Sequence, residues 1–112
     1  METSLFNASE PLSINLTTCM HQTVKPIIRE PIDGYKTPAF EVGASLNMTC
    51  RADGNPLPSV TWVQNSTGKI FGTRRGSLQL TKSLEGEDFG SYKCIARNYL
   101  GSHEVSIKVE KG

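Results

Sequence analysis

The stretch Asp88-Phe89-Gly90-Ser91-Tyr92-Lys93-Cys94 decides the fold, and it also raises a question, because Asp-Phe-Gly is the magnesium-binding tripeptide of protein kinases. A kinase also needs a G-x-G-x-x-G loop and a His-Arg-Asp loop upstream. Neither motif occurs in the 112 residues, and a chain of this length has no room for two catalytic lobes. The tripeptide therefore serves another purpose than phosphoryl transfer.

Outward from this stretch, the chain reads as short strands separated by turns. In "GSYKCIAR", the residues Tyr92, Cys94 and Ala96 share one face of a predicted strand. Similar alternation occurs in "ASLNMTCRA", "SVTWVQ", "GSLQLTK" and "SHEVSIKVE", while "KPIIREP" suits an edge strand and "AFEVG" a short extended piece. The stretches "IDGYKTP", "DGNPLP" and "NYLG" are predicted to turn the chain, and "TGKIF" is a weak strand. Turn signals recur about every 8 to 12 residues, which predicts an all-β antiparallel sandwich of about seven or eight strands.

Two of the three cysteines fall on inward positions of different predicted strands. Cys50 and Cys94 are 44 residues apart, and a disulfide between them fits where two sheets pack closely. Trp62 would fill the core beside that bridge. Closing a loop of this length stabilises a fold by roughly 4 kcal/mol in the chain-entropy model.

Together these residues resemble an immunoglobulin-like domain of the intermediate or C2-like set, over about residues 25–112. The stretch "CRADGNPLPSVTW" carries the cysteine and tryptophan, and Asp-x-Gly-x-Tyr-x-Cys matches the turn into the sixth strand of that family. The resemblance implies a Greek-key sandwich in which Asp88 and Gly90 shape this turn and the Tyr92 hydroxyl bonds back to the upstream backbone. It also implies a salt bridge from Asp88 to Arg74 or Arg75.

Sequons predict the compartment. The chain has six asparagines, and four of them begin an Asn-x-Ser/Thr sequence. These predicted glycosylation sites are Asn7, Asn15, Asn47 and Asn65. Because paired cysteines also suit an oxidising environment, the sequence favours an extracellular domain. The sequons do not separate a matrix protein from a membrane protein, and it is the resemblance that implies the ectodomain of a plasma-membrane protein.

Residues 1–24 differ from the rest and are predicted to be a linker or the edge of a preceding domain, with a domain over 25–112. Alternation through Leu12, Ile14 and Leu16 allows one short strand there. We expect Met1 to be an expression start on a piece of a longer protein. Cys19 is left over, and pairing with a neighbouring domain, pairing between chains and a free thiol all stay open.

Charge and composition point away from several function classes. There are 12 basic and 11 acidic residues, too balanced for nucleic-acid binding, and no apolar run approaches the ~18 residues of a membrane span. His21 and His103 lie in no metal-ligand spacing, and His103 is expected on the solvent face of the last strand. The acidic cluster of Glu85, Glu87 and Asp88 could bind calcium weakly. The favoured interpretation is that Glu85 and Glu87 form a solvated turn and Asp88 forms a salt bridge.

The function predicted is therefore recognition without catalysis, metal or cofactor. A protein partner, homophilic or heterophilic, would be bound by an extracellular module of a cell-adhesion molecule or receptor, with no direct membrane contact. Glycans at Asn47 and Asn65 would leave free the last strand and the loops "DGNPLP" and "RNYLG". A heparin-like patch of Lys69, Arg74 and Arg75 is a weaker interpretation than a solvated face. The alternative function is a structural spacer in an extracellular matrix or muscle filament protein.

Overall fold

The computed structural model describes residues 22–112, which form eight strands and one short helical turn. The predictions for residues 1–21, including the short strand, lie outside the described part. The strands are β1 (Val24–Glu30), β2 (Tyr35–Lys36), β3 (Ser45–Asn55), β4 (Ser59–Gln64), β5 (Ile70–Arg75), β6 (Ser77–Ser83), β7 (Gly90–Asn98) and β8 (Gly101–Val109). A 3₁₀ turn, Gly86–Asp88, precedes β7.

The strands build two sheets that pack face to face. One sheet has the order β1-β3-β6 and the other the order β2-β8-β7-β4-β5. The chain changes sheet five times, between β1 and β2, β2 and β3, β3 and β4, β5 and β6, and β6 and β7, which gives the crossed connections of a Greek-key sandwich. The prediction of an all-β immunoglobulin-like sandwich is confirmed.

Two local predictions were incomplete. The "IDGYKTP" turn contains β2, which pairs with β8 in parallel, so the sandwich is not purely antiparallel. Within "AFEVG" the pairing is a single parallel bridge from Phe40 to Lys111. Both pairings follow from the path of the chain, because after β1 it leaves the three-stranded sheet and runs beside β8 of the other sheet.

The strand β3 also runs further than predicted, into the "DGNPLP" loop as far as Asn55. Its extension pairs with β1 up to Val24. Gly54 permits this extension, because a Cβ there would lie 3.2 Å from Pro58 Cδ and 3.3 Å from Pro26 Cα. Such contacts are tighter than almost all real side chains tolerate, so a larger residue would push the loop away.

The core lies between the inward faces of the two sheets. It is formed by the alternating residues of β3, β4, β7 and β8, and Trp62, Tyr92, Cys50 and Cys94 have no exposed surface. The Trp62 Nε1–H donates to the Leu78 carbonyl across the sandwich at 2.9 Å, so the indole is buried without leaving its donor unpaired. No helix in the described residues is long and apolar enough to cross a membrane.

Candidate recognition surface

The turn into β7 is built around a buried carboxylate. Asp88 accepts hydrogen bonds from Lys82 Nζ and from the Glu85 N–H, both at 2.8 Å. The Tyr92 hydroxyl donates to the Asp88 carbonyl at 2.6 Å, which ties the start of β7 to the 3₁₀ turn. These contacts form a tyrosine corner, in which the tyrosine hydroxyl bonds to the backbone just upstream.

The predicted salt bridge from Asp88 to Arg74 or Arg75 is wrong, because Lys82 is the partner. Strand register explains the difference. Gln64, at the end of β4, donates to the Glu87 carbonyl, whereas Arg74 and Arg75 lie opposite Val60 and Ser59 near the start of β4. Four residues of strand separate the two positions by about 13 Å.

Burial and charge act in opposite directions on Asp88. Burial by itself would raise the pKa of the carboxyl. The hydrogen bonds from Lys82 and the Glu85 N–H, with the charges of Lys82 and Lys69, lower the pKa below its ordinary value. The carboxylate is thus held ionised at neutral pH as a structural anchor.

The Tyr92 hydroxyl is shifted the other way. Burial, followed by the negative charge of Asp88, raises the pKa of this hydroxyl to about 12. Its ring lies 5.9 Å from the Phe71 ring, and Lys69 and Lys82 place their Nζ atoms 5.2 and 5.0 Å from the Phe71 centroid. Lys69 therefore lies near Asp88 and far from Arg74 and Arg75, so these three residues do not form the heparin-like patch, which the sequence favours less than a solvated face.

The remaining core markers lie as their spacing indicates. Cys50 of β3 and Cys94 of β7 are joined by a disulfide with Cα atoms 6.5 Å apart. Trp62 stands opposite Cys94 in the neighbouring strand. Gly90 has a φ of +122°, a conformation that favours glycine. Cys50, Cys94 and Trp62 connect the two sheets, whereas Gly90 begins β7 at the turn.

His103 does not occupy the solvent face. It lies opposite the buried Ala96 and on the same side of β8 as Val105, because residues two apart in a strand share a face. Its Nδ1 atom accepts the Ile28 N–H at 2.9 Å and so links β8 to β1. The described residues contain no group of three or more His, Cys, Asp or Glu arranged to hold a metal.

The two loops expected to be free lie at the same end of the sandwich. The Asn98 Nδ2 atom donates to the Val24 carbonyl at 2.9 Å and to the Pro56 carbonyl at 3.0 Å. This amide holds together the β3–β4 loop, the β7–β8 turn and the start of β1. Three apolar side chains remain exposed there, namely Val24, Leu57 and Tyr99. We call this region the loop end.

The outer face of the five-stranded sheet is basic, and two of its cations, Arg75 and Arg97, lie next to the loop end. Cross-strand register and alternation place five cations on it and one carboxylate, Glu104. The cations are Lys36, Arg75, Lys93, Arg97 and Lys108. Lys93 pairs with Glu104 at 3.4 Å, and Asp33 lies at the edge of the face, where it accepts the Ser106 N–H. A chain with a net charge of +1 therefore concentrates positive charge on one face.

The outer face of the three-stranded sheet is balanced instead. Arg29 pairs with Asp53 at 2.7 Å, and Arg51 contacts Glu30 at 3.1 Å and Asp53 at 3.8 Å. Because all four side chains are about half exposed, these pairs contribute little to stability. They neutralise the face, which makes it a weaker attractor of charged partners.

The sequons divide between the described and undescribed parts. Asn47 is exposed on the outer face of the three-stranded sheet, and Asn65 is exposed in the β4–β5 turn, where its N–H donates to the Ser91 carbonyl. Asn65 is thus at the opposite end of β4 from the loop end. Asn7, Asn15 and Cys19 lie outside the described residues.

Two features of this surface were missed from the sequence. Lys82 as the partner of Asp88 depends on how β6 packs beside the 3₁₀ turn, and no local pattern reveals it. The basic face had a readable signal, because Lys93 and Arg97 alternate with the inward Tyr92, Cys94 and Ala96. A count of charges at only the outward positions of each predicted strand would have predicted this basic face.

Comparison with known proteins agrees with this architecture. The family model described as "Immunoglobulin domain" matches residues 25–98. Tyrosine-protein phosphatase Lar of Drosophila melanogaster is 38% identical over 82 residues, which cover 69% of this chain and 4% of that protein. The Irregular chiasm C-roughest protein of the same species is 38% identical over 66 residues, covering 59% of this chain and 8% of that protein.

Among solved structures, titin domain M7 matches with a TM-score of 0.66 at 21% identity and covers 81% of this chain and 97% of that one. At that identity the likeness shows the fold alone. The chain spans 8% or less of the length of the two relatives named above, so each similarity concerns one domain of a larger protein. On the family match, the disulfide-bridged sandwich and the tyrosine corner, this chain belongs to the immunoglobulin domain family.

Proposed function

We propose that this domain is an extracellular recognition module of a cell-adhesion molecule or cell-surface receptor, and that it binds a protein partner without catalysis. The observation that carries the proposal is that exposed apolar side chains adjoin two arginines at the loop end, Arg75 and Arg97, and neither arginine forms a salt bridge within residues 22–112. Tyr99 is 74% exposed and Leu57 is 47% exposed there. Exposed apolar groups bordered by charge are typical of protein contact surfaces.

The arrangement of the cations extends this surface. Arg75 and Arg97 both lie opposite Ser59 on adjoining strands, at the end of the five-stranded sheet nearest the loops. Arginine and tyrosine are enriched among the residues that contribute most to binding energy. The loop end and this arginine row together form a continuous candidate contact surface held on a rigid sandwich.

The charge of the surface favours a heterophilic partner. Two copies that met through their basic faces would bring like charges together, which costs free energy. An acidic partner surface would instead be attracted and oriented as it approached. We therefore expect the partner to present carboxylates around a small apolar centre.

The proposed compartment and the proposed absence of catalysis are supported by the sequence and by the extent of the matches. The sequons and the disulfide suit a secretory protein. The match to a phosphatase covers only 4% of that protein, so it transfers no catalytic centre to this chain. The titin likeness is of fold alone, and the spacer function remains the alternative prediction.

The test uses fluorescent tetramers of the secreted domain on cells that each display one candidate surface protein. We expect saturable binding to at least one such protein. The Arg97→Glu and Tyr99→Ser variants should each weaken it about fivefold or more, because each removes a contact worth about 1 kcal/mol or more. Lys111→Glu is the matched charge-reversal control, since Lys111 is exposed after the last strand and outside the loop end.

Retention of full affinity by Arg97→Glu and Tyr99→Ser would contradict the assigned surface. The absence of saturable binding across a complete display of surface proteins would contradict the recognition function and favour the spacer alternative.

A further inference from the structure

A cleft of about 380 Å³ opens where the chain passes from one sheet to the other. It is lined by residues 30–32, Tyr35 and residues 47–49. This cleft lies between β3 of the three-stranded sheet and β2 of the five-stranded sheet, and the proposed recognition surface does not use it.

Strand pairing explains why the cleft exists. The last partner of β1 on β3 is Arg51, opposite Glu30, and the chain then departs toward β2 in the other sheet. Within residues 22–112, no strand pairs with β3 beyond Arg51 on the β1 side, so the edge there is open as far as Ser45. An open strand edge is a template for unwanted pairing unless something covers it.

The cleft also exposes apolar surface. Ile32 is 77% exposed and Tyr35 is 41% exposed, and both line it together with Met48. Clustered apolar side chains next to an open edge favour a covering group with one apolar side and one hydrated side. A saccharide has this character, because its C–H face can pack on an aromatic ring while its hydroxyls face water.

The sequence places an attachment site for a saccharide at the cleft itself. Asn47-Met48-Thr49 is a sequon, and all three residues line the cleft. The Asn47 Oδ1 atom accepts a hydrogen bond from Gln79 Nε2 on the opposite side, in β6. That bond engages the amide oxygen, while glycans are attached through the amide nitrogen.

We propose that Asn47 carries an N-linked glycan whose first N-acetylglucosamine units lie in this cleft, over Tyr35 and Ile32, and cover the open edge of β3. In the attachment step the Asn47 amide nitrogen loses a proton and bonds to C1 of the first sugar. The leaving group is the lipid pyrophosphate that carried the oligosaccharide. The inference goes beyond the recognition function and does not depend on which partner is bound.

The test compares the two described sequons in the full chain secreted by a glycosylating host. Peptide mass mapping gives the occupancy of Asn47 and Asn65. The folded protein is then digested with peptide N-glycosidase, and the rate at which each glycan is released is measured. Because a seated first sugar hides the scissile amide bond, we expect release at Asn47 to be about tenfold slower than at Asn65, which a protection of about 1.4 kcal/mol would produce.

Tyr35→Ser tests the seat itself. Its side chain is exposed and its strand pairing uses only the backbone, so the variant should fold and should lose most of the protection at Asn47 without changing release at Asn65. Thr81→Ser, on the same outer face opposite Asn47, is the matched control and should keep the protection. An unoccupied Asn47, or equal release rates at Asn47 and Asn65 in the unsubstituted chain, would overturn the proposal.

Discussion

At the scale of single residues, Asp88 combines burial with charge, because its carboxylate lies inside the turn and accepts from Lys82 and from the Glu85 N–H. We expect Asp88→Asn to lower the free energy of unfolding at pH 7 by about 1–3 kcal/mol, since an amide gives Lys82 no counter-charge. Urea unfolding measures the loss. Glu87→Gln, exposed one residue earlier, is the control and should change stability little.

The same carboxylate predicts a pH dependence. Its pKa is lower in the folded chain than the ordinary 3.8, so the stabilisation it contributes is present above that pH. It is lost as pH falls below 3.8 and through the lower folded-state value. The gap between the unsubstituted chain and Asp88→Asn should therefore narrow in that acidic window. A gap that stays constant down to the lowest pH at which both fold would contradict the ionic role.

Tyr92 provides the second prediction for a single residue. Tyr92→Phe removes the donor to the Asp88 carbonyl and should cost about 1–2 kcal/mol, because a buried acceptor loses its partner. The pKa of this hydroxyl is raised from 10.0 to about 12, so its contribution is full below pH 10 and declines between pH 10 and 12. Ultraviolet titration of the native chain should show a tyrosinate transition near pH 12 that Tyr92→Phe lacks. Its persistence in the variant would assign the transition elsewhere.

At the scale of elements, the turn into β7 depends on backbone conformation at one glycine. Gly90 has a φ of +122°, and a Cβ at this position would meet no atom within 4 Å. The cost of Gly90→Ala therefore comes from the backbone alone and should be about 1–3 kcal/mol by urea unfolding. Gly86, in the preceding 3₁₀ turn, also has open space but no positive φ, so Gly86→Ala should be neutral or slightly stabilising. Equal effects of the two substitutions would refute the conformational explanation.

The elements also mark how far the sequence could predict this molecule. Alternation located the core faces of β3, β4, β7 and β8, because each buries one side and exposes the other. It could not locate β2, which has two residues and is formed only because the chain passes beside β8. It also placed His103 on the wrong face, although the spacing to Val105 contained the correct answer.

The candidate surface was predictable to a similar degree. The Asp88 partner was missed because contact between a turn and a neighbouring strand depends on registers that sequence spacing does not contain. The two loops were identified by their turn residues, but only the three-dimensional contacts of Asn98 place them together. The basic face required knowing which strands are neighbours, so that outward residues from separate segments could be summed.

At the scale of the whole molecule, one disulfide in the described residues, between β3 and β7, cross-links the two sheets. The described part of the domain is small, and a single core of this size leaves a net stability of about 5–15 kcal/mol. A cross-link between residues 44 apart should supply about 4 kcal/mol of that by restricting the unfolded chain. On this expectation the cross-link contributes a large share of the net stability.

The bridge gives a prediction about the entire domain, best made in a Cys19→Ser background so that the third cysteine cannot exchange with the pair. In this background we expect reduction of Cys50–Cys94 to lower the free energy of unfolding by about 4 kcal/mol, measured by urea unfolding with and without reductant. The slope of free energy against urea should also rise on reduction, because an unlinked chain exposes more surface when it unfolds. If the oxidised and reduced forms unfolded at the same urea concentration with the same slope, packing around Trp62 would have to hold the sheets together without the cross-link. The domain would then be able to fold in a reducing compartment. That result would favour the muscle filament form of the spacer alternative, against which the sequons argue.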